Sequence, residues 1–60
     1  MLKVVAIRIN MGLSQEQMAK KLNMSLSTYR NKENGNTYWY FHEIKLISQL
    51  SGIKIEEIDA

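Results

Sequence analysis

Three polar side chains, Ser27, Arg30 and Asn31, are spaced so that they share one face of a helix. The hydroxyl and the amide can each donate and accept hydrogen bonds, and an asparagine amide can bind the edge of an adenine base through two of them. The arginine adds a positive charge that can bind either a phosphate or a base. These residue types suit the recognition of a polar, anionic surface and involve no covalent step.

The rest of the composition excludes most of the chemistry that a catalytic or metal site would need. The 60 residues include no cysteine and a single histidine, His42, which excludes disulfides, thiolate metal sites and a histidine-based structural zinc site. No acid–base pair or nucleophile constellation can be assembled from the remaining side chains. We therefore expect a protein that is not an enzyme and that needs no metal or cofactor.

The charge is distributed unevenly along the chain. Residues 1–32 hold six basic residues and one acidic residue, a net charge of +5, whereas residues 33–60 hold two basic and five acidic residues, a net charge of −3. A basic front and an acidic tail suit a polyanion such as nucleic acid, bound on one side of the molecule. The alternative interpretation is a solvated surface of mixed charge.

Apolar residues recur with a period close to 3.6, which predicts an all-α protein. We expect one domain over residues 1–60, folded as a compact five-helix bundle. The predicted helices are a first ending at Gly12, a second over 15–22, a third ending near 34, a fourth from 42 to Gly52, and a short final turn over 53–58. Residues 36–41 are predicted not to be helical. No segment approaches the ~20 apolar residues of a membrane span or matches a signal peptide, so we expect a cytoplasmic protein.

The second and third helices meet at Asn23-Met24-Ser25 with almost no room between them. Ser14 can cap the second helix, and Gln17 three residues later completes a capping box. Ser25 can cap the third helix in the same way. Asn23 tolerates the left-handed backbone conformation that ends a helix. A short, rigid turn between two helices is the local signature of a helix-turn-helix.

The apolar periods also predict which side chains form the core. The expected core residues are Val4, Ile7, Met11, Met18, Ala19, Leu22, Met24, Phe41, Ile44, Ile47 and Leu50. Lys32 lies on a helix face that should be buried, and we expect its stem to cover apolar surface while its ammonium group reaches water. Glu43 is expected to be solvated.

The segment "GLSQEQMAKKLNMSLSTY" followed by "KENG" resembles the XRE-type helix-turn-helix family, which includes phage repressors and Cro proteins. The tail "EIKLISQLSGIKIEEI" is similar to the last helices of that family, so the resemblance covers about residues 4–58. The positions that match the family pattern are Gly12, Leu13, Ser14, Gln15, Met18, Ala19, Leu22, Ser25, Thr28, Glu33, Asn34 and Gly35. Position 23, usually glycine in the family, is asparagine here, and position 32, usually apolar, is lysine.

The resemblance implies the phage-repressor-like fold and a recognition helix over about residues 26–34 that enters the DNA major groove. The residues expected to contact bases are Leu26, Ser27, Arg30 and Asn31. The residues expected to contact phosphates are Gln15, Lys20, Lys21, Thr28, Asn34, Asn36 and Thr37. Gln15 could instead hold the recognition helix in place, Leu26 could belong to the core at the start of that helix, and Asn34 could simply end it.

The resemblance further implies a sequence-specific transcriptional regulator of double-stranded DNA, of the phage or prophage repressor or Cro type. We expect a homodimer on a pseudo-palindromic operator, with a dimer surface around Ile55 and Ile58. The chain is also compatible with being the DNA-binding part of a longer repressor.

A second hypothesis comes from the aromatic loop, residues 38–41, which holds four of the five aromatic residues. Tyr38, Trp39 and Tyr40 could cover the core, contact another protein or reach the DNA backbone. If they bind a protein, the helix-turn-helix module would be an adaptor, such as an antirepressor or antitoxin.

Overall fold

The computed structural model describes all residues from 1 to 60 and contains four α-helices and a small two-stranded sheet. In chain order the elements are β1 (Leu2–Lys3), α1 (Val4–Asn10), α2 (Gln15–Lys21), α3 (Leu26–Glu33), α4 (Phe41–Ser51), a 3-10 turn (Ile55–Glu57) and β2 (Ile58–Asp59). The longest helix, α4, has 11 residues, and no helix combines the length and apolar character needed to cross a membrane.

Local signals in the sequence correctly placed the ends of α2 and α3. Ser14 Oγ accepts a hydrogen bond from the Gln17 backbone at 3.1 Å, and Gln17 Oε1 accepts one from the Ser14 backbone at 2.9 Å, which is the predicted capping box. Ser25 Oγ caps α3 by accepting from the Thr28 backbone at 3.1 Å. Asn23 has a φ of 59°, the left-handed conformation expected of it. The turn between α2 and α3 is therefore defined by the left-handed backbone of Asn23 and by the Ser25 side chain that caps α3.

The prediction of five helices is wrong at the last element. After α4 the chain forms only three residues of 3-10 turn before it becomes extended at Ile58. Ile58 and Asp59 pair in parallel with Leu2 and Lys3, and this pairing holds the two ends of the chain together. A segment that must become extended within a few residues of Gly52 has no room for another α-helix.

The core is one cluster of nine buried residues: Val4, Ile7, Met18, Ala19, Leu22, Tyr29, Ile44, Ile47 and Ile58. It draws on all four helices and on β2, so each helix buries one face against the others. Burying one such large apolar side chain typically contributes about 1.5–3 kcal/mol. Most of the predicted core is confirmed, and Met11 and Met24 are partly buried against it.

Two predicted core residues on α4 are instead exposed. Phe41, the first residue of α4, is 71% exposed because the helix begins outside the core and turns Ile44 and Ile47 inward. Leu50 is 38% exposed. The chain reverses at Gly52, which has a φ of 77°, and packs Ile53 against the core.

The expected solvation of Lys32 and Glu43 is also wrong. Both residues are buried, and Lys32 Nζ lies 2.7 Å from Glu43 Oε1. The ammonium group does not reach water because it finds its partners inside the fold, which include the Tyr38 carbonyl oxygen at 3.1 Å. This buried ion pair joins α3 to α4.

Candidate nucleic-acid interface

The outward face of α3 carries the polar side chains that the sequence singled out. Ser27, Thr28, Arg30 and Asn31 are all exposed, whereas Leu26 is half-buried. The buried face of the same helix is formed by Tyr29, which is completely inaccessible, and by Lys32. One helix of eight residues thus presents a polar face while its other face anchors it to the core.

Arg30 is held in place by a residue of the preceding helix. Its Nε donates a hydrogen bond to Gln15 Oε1 at 3.2 Å, and Gln15 Nε2 donates to Glu33 Oε1 at 2.9 Å. Gln15 therefore links the start of α2 to the last turn of α3. Because the arginine is held before any ligand arrives, less side-chain entropy is lost when a ligand binds.

Glu33 lies at the centre of this network, a role that the sequence did not reveal. Its carboxylate accepts hydrogen bonds from Arg8 Nε at 2.9 Å, from Arg8 Nη2 at 3.3 Å, from Gln15 and from the Tyr29 hydroxyl. The Glu33 side chain is only 5% exposed. Arg8 also donates to the Leu13 carbonyl oxygen at 2.9 Å, and it thereby links α1 to the segment before α2. The only sign in the sequence that Glu33 has a special role was its match to the family pattern.

The network shifts the pKa values of its members. Burial acts to raise the pKa of Glu33, but hydrogen bonds from Arg8, Tyr29 and Gln15 outweigh it and bring that pKa below its usual value. Burial, and then the hydrogen bond to Glu33, raise the pKa of the Tyr29 phenol well above its usual value. The hydrogen bond to Glu33 raises the pKa of Arg8. At neutral pH the network thus holds a carboxylate, a guanidinium and a neutral phenol.

These shifts predict a loss of stability in acid. Because the pKa of Glu33 is lowered in the folded state, its contribution is complete above the ordinary value of 4.5 and is lost as the pH falls below it. We expect the free energy of unfolding, measured by urea denaturation at pH 7, 4 and 3, to decrease across this series. The variant Glu33→Gln should show a shallower decrease, and an equally steep one would contradict the assignment.

A groove of about 570 Å³ lies beside the polar face of α3. Its lining includes Thr28, Asn31, Asn36, Thr37, Tyr38 and Tyr40. The structure therefore brings three of the predicted phosphate contacts together with one predicted base contact. Lys20, Lys21 and Asn34 do not line this groove; all three are exposed, the lysines in the last turn of α2 and Asn34 at the end of α3.

The aromatic loop divides between the core and the surface. Trp39 is half-buried and packs edge-on against Tyr29, with the ring centroids 5.7 Å apart. Tyr38 and Tyr40 are 88% and 62% exposed. Trp39 thus covers the core, while the two tyrosines remain accessible.

The two isoleucines expected at a dimer surface have different environments. Ile55 is 36% exposed, whereas Ile58 is only 5% exposed because it belongs to the core and to the strand pair at the chain ends. Of the two, only Ile55 presents apolar surface to solvent in this fold.

Comparison with known protein families gives one match. The family model described as "Helix-turn-helix" matches residues 4–58, nearly the whole chain. A search of curated proteins and a search of solved structures found no match.

Proposed function

The chain belongs to the XRE-type helix-turn-helix family, and on that premise we propose that it is a sequence-specific transcriptional regulator of the phage or prophage repressor or Cro type. The family consists of DNA-binding regulatory domains. In our proposal α3, with the cap residues that flank it, is the recognition helix and enters the major groove of double-stranded DNA. The whole chain acts as one DNA-binding domain.

One observation carries this proposal. The exposed face of α3 is made of small or hydrogen-bonding side chains, and the charged one, Arg30, is already held by Gln15. In the proposed complex Leu26, Ser27, Arg30 and Asn31 contact base edges. An asparagine can bind adenine through two hydrogen bonds, an arginine can bind guanine in the same way, and the Leu26 side chain can contact a thymine methyl group.

The phosphate contacts are proposed to flank this face. Thr28, Asn36 and Thr37 would bind phosphates of the DNA backbone at the protein groove beside α3. Phosphates elsewhere on the duplex would be bound by Gln15, Lys20, Lys21 and Asn34. Such contacts set the position of the protein on the duplex and carry no sequence information directly. The exposed basic residues Lys20, Lys21 and Arg30 would favour the approach to DNA from this side.

We also propose that the protein binds as a homodimer on a pseudo-palindromic operator, with half-sites about one helical turn apart. Glu33 and Glu43 are taken up in internal ion pairs, and the exposed acidic residues near the end of the chain, Glu56, Glu57 and Asp59, would then face away from the DNA. The partly exposed Ile55 offers apolar surface for the contact between subunits.

Selection from random-sequence DNA at about physiological salt tests the proposal. Enrichment of a symmetric motif is expected and would identify both the operator and the dimer. Enrichment of a single, asymmetric half-site would support sequence-specific binding but reject the homodimer. Retention that is weak, salt-sensitive and without any enriched motif would reject the proposed function, because non-specific binding to phosphates gives that result.

Asn31→Ala provides a sharper test of base reading. We expect the free energy of binding to the selected operator to become weaker by about 1–3 kcal/mol. The preference for one base over the others should also become weaker at one position of each half-site. Lys20→Ala and Lys21→Ala are the contrasting variants: they should weaken binding to every sequence and lower the slope of log affinity against log salt. Fluorescence anisotropy with operator and scrambled duplexes measures both. Equal losses on all sequences for Asn31→Ala would reject its assignment.

The protein adaptor remains the second candidate because of one observation. Phe41 and Tyr38, at the two ends of the aromatic loop, are 71% and 88% exposed, and large exposed apolar side chains often mark protein interfaces. Under this alternative a substitution such as Trp39→Ala would abolish capture of a partner protein and leave DNA binding nearly unchanged.

A further inference from the structure

We propose that the buried Lys32–Glu43 ion pair positions the Tyr38–Tyr40 segment, so that the two tyrosines form a wall of the groove beside α3 and hold the backbone of a bound DNA strand there. This inference rests on the proposed DNA-binding function and extends it to the aromatic loop. It assigns positioning residues, Lys32 and Glu43, and two further contacts to DNA, Tyr38 and Tyr40.

The ion pair is connected to the backbone on both sides of Trp39. Lys32 Nζ donates to the Tyr38 carbonyl oxygen at 3.1 Å, and Glu43 Oε1 accepts a hydrogen bond from the Tyr40 backbone N–H at 2.8 Å. The ammonium group also lies 4.0 Å from the centroid of the Tyr40 ring, a cation–π distance. The pair therefore binds the backbone at both tyrosines and contacts one of the two rings.

An apolar pair would hold α3 against α4 without these connections. Burying two charges removes them from water, and well-packed apolar residues in the same space are often equally or more stabilising. The resemblance places an apolar residue at position 32, so the lysine is a departure of this chain. Lys32 and Glu43 provide hydrogen bonds to the Tyr38 carbonyl oxygen and the Tyr40 backbone N–H, which apolar side chains cannot make.

The groove that results has the chemistry of a phosphate contact. Two tyrosines, two threonines, Asn31 and Asn36 line it, and the side chain of each carries a group that can donate a hydrogen bond. Lys32 and Glu43 also line it, but they neutralise one another. Hydroxyl and amide side chains are common phosphate ligands in protein–DNA complexes. A contact made by neutral donors should add affinity with little effect on the dependence of binding on salt.

Two sets of variants test the inference on the operator obtained by selection. Tyr38→Phe and Tyr40→Phe remove only the hydroxyl groups, and Lys32→Met with Glu43→Leu removes the ion pair while keeping apolar bulk. We expect each tyrosine variant to weaken operator binding about five- to tenfold, and the paired replacement to weaken it at least tenfold. The salt slope should stay at the value of the parent protein. Thermal unfolding establishes that each variant is folded at the temperature of the assay.

Coupling between the two sets separates positioning from a merely structural role. In the background that lacks the ion pair, Tyr38→Phe and Tyr40→Phe should cause no further loss, because the hydroxyls are no longer held at the phosphate. Lys45→Met, which removes an exposed charge from α4, is the control and should change affinity less than twofold. If the paired replacement does not fold, Glu43→Gln takes its place, and the same coupling to Tyr40→Phe is required.

The outcomes are distinct. Two results would overturn this inference and leave the proposed function standing. One is full operator binding by the folded paired variant. The other is that Tyr38→Phe and Tyr40→Phe lower operator affinity as much without the ion pair as with it. Full binding by both tyrosine variants, with capture of a protein that depends on Tyr38 and Tyr40, would assign the loop to a protein partner instead. If the parent protein enriches no DNA motif, the proposed function and this inference fail together.

Discussion

Replacing Glu33 by alanine is expected to lower the free energy of unfolding by about 3–5 kcal/mol, the range seen when one partner of a buried ion pair is removed. Glu33 is 5% exposed, and its carboxylate is bound by Arg8, Gln15 and Tyr29. Without it, a guanidinium and a phenol hydroxyl lose their acceptor inside the fold. Urea denaturation at pH 7 measures the difference.

A loss of this size would remove a large part of the stability of a domain of 60 residues, since domains of ordinary stability have only about 5–15 kcal/mol in total. Glu56→Ala is the matched control, because Glu56 is exposed in the 3-10 turn; its effect should stay within about 0.5 kcal/mol. If Glu33→Ala were as mild as the control, the network would not support the fold. Arg30, which is held through Gln15, should also become mobile in Glu33→Ala, which side-chain NMR would detect.

Replacing Lys32 alone by alanine is expected to have a comparable effect, about 3–5 kcal/mol. The variant leaves the Glu43 carboxylate, 10% exposed, without its cation, and leaves the Tyr38 carbonyl oxygen without its donor. The measurement is again urea denaturation, with Lys45→Ala on the exposed face of α4 as the control. Lys45→Ala should change the free energy of unfolding by no more than about 0.5 kcal/mol.

The paired replacement of Lys32 by Met and Glu43 by Leu should behave differently from Lys32→Ala. Removing both charges leaves no buried charge unpaired, and only the Tyr38 carbonyl oxygen and the Tyr40 backbone N–H lose a hydrogen-bond partner. The free energy of unfolding should therefore return to within about 1–2 kcal/mol of the parent protein or exceed it. A paired variant less stable than Lys32→Ala would show that the ion pair itself is needed for folding. Recovery of stability without recovery of operator affinity is the result that the positioning role of the pair predicts.

The helix-turn-helix could be predicted because its signals are local. Ser14 with Gln17, Ser25 with Thr28, and Asn23 each act within three residues of their own position, through a cap or a left-handed backbone angle. The exposed and buried faces of α3 follow from helical periodicity. The polar face at Ser27 and Asn31 was therefore visible in the sequence before any tertiary structure was known.

The features that the sequence did not reveal depend on contacts between distant residues. Arg8 and Glu33 are 25 positions apart, and Lys32 and Glu43 are 11 apart. A charged residue in the sequence is usually solvated, and nothing local indicates that a partner of opposite charge will be buried beside it. The strand pair between Leu2 and Ile58 likewise joins opposite ends of the chain. This pairing is the reason that the expected fifth helix does not form.

The amino-acid sequence by itself determined the family, the positions of α2 and α3 and the polar face that α3 presents, because caps, turns and periodicity act over a few residues. Only the tertiary structure decided which charges are buried, that Gln15 and Glu33 hold Arg30, and that the groove beside Asn31 is bounded by two tyrosines. Those properties depend on how the helices pack against each other, and packing brings together residues that no local pattern relates.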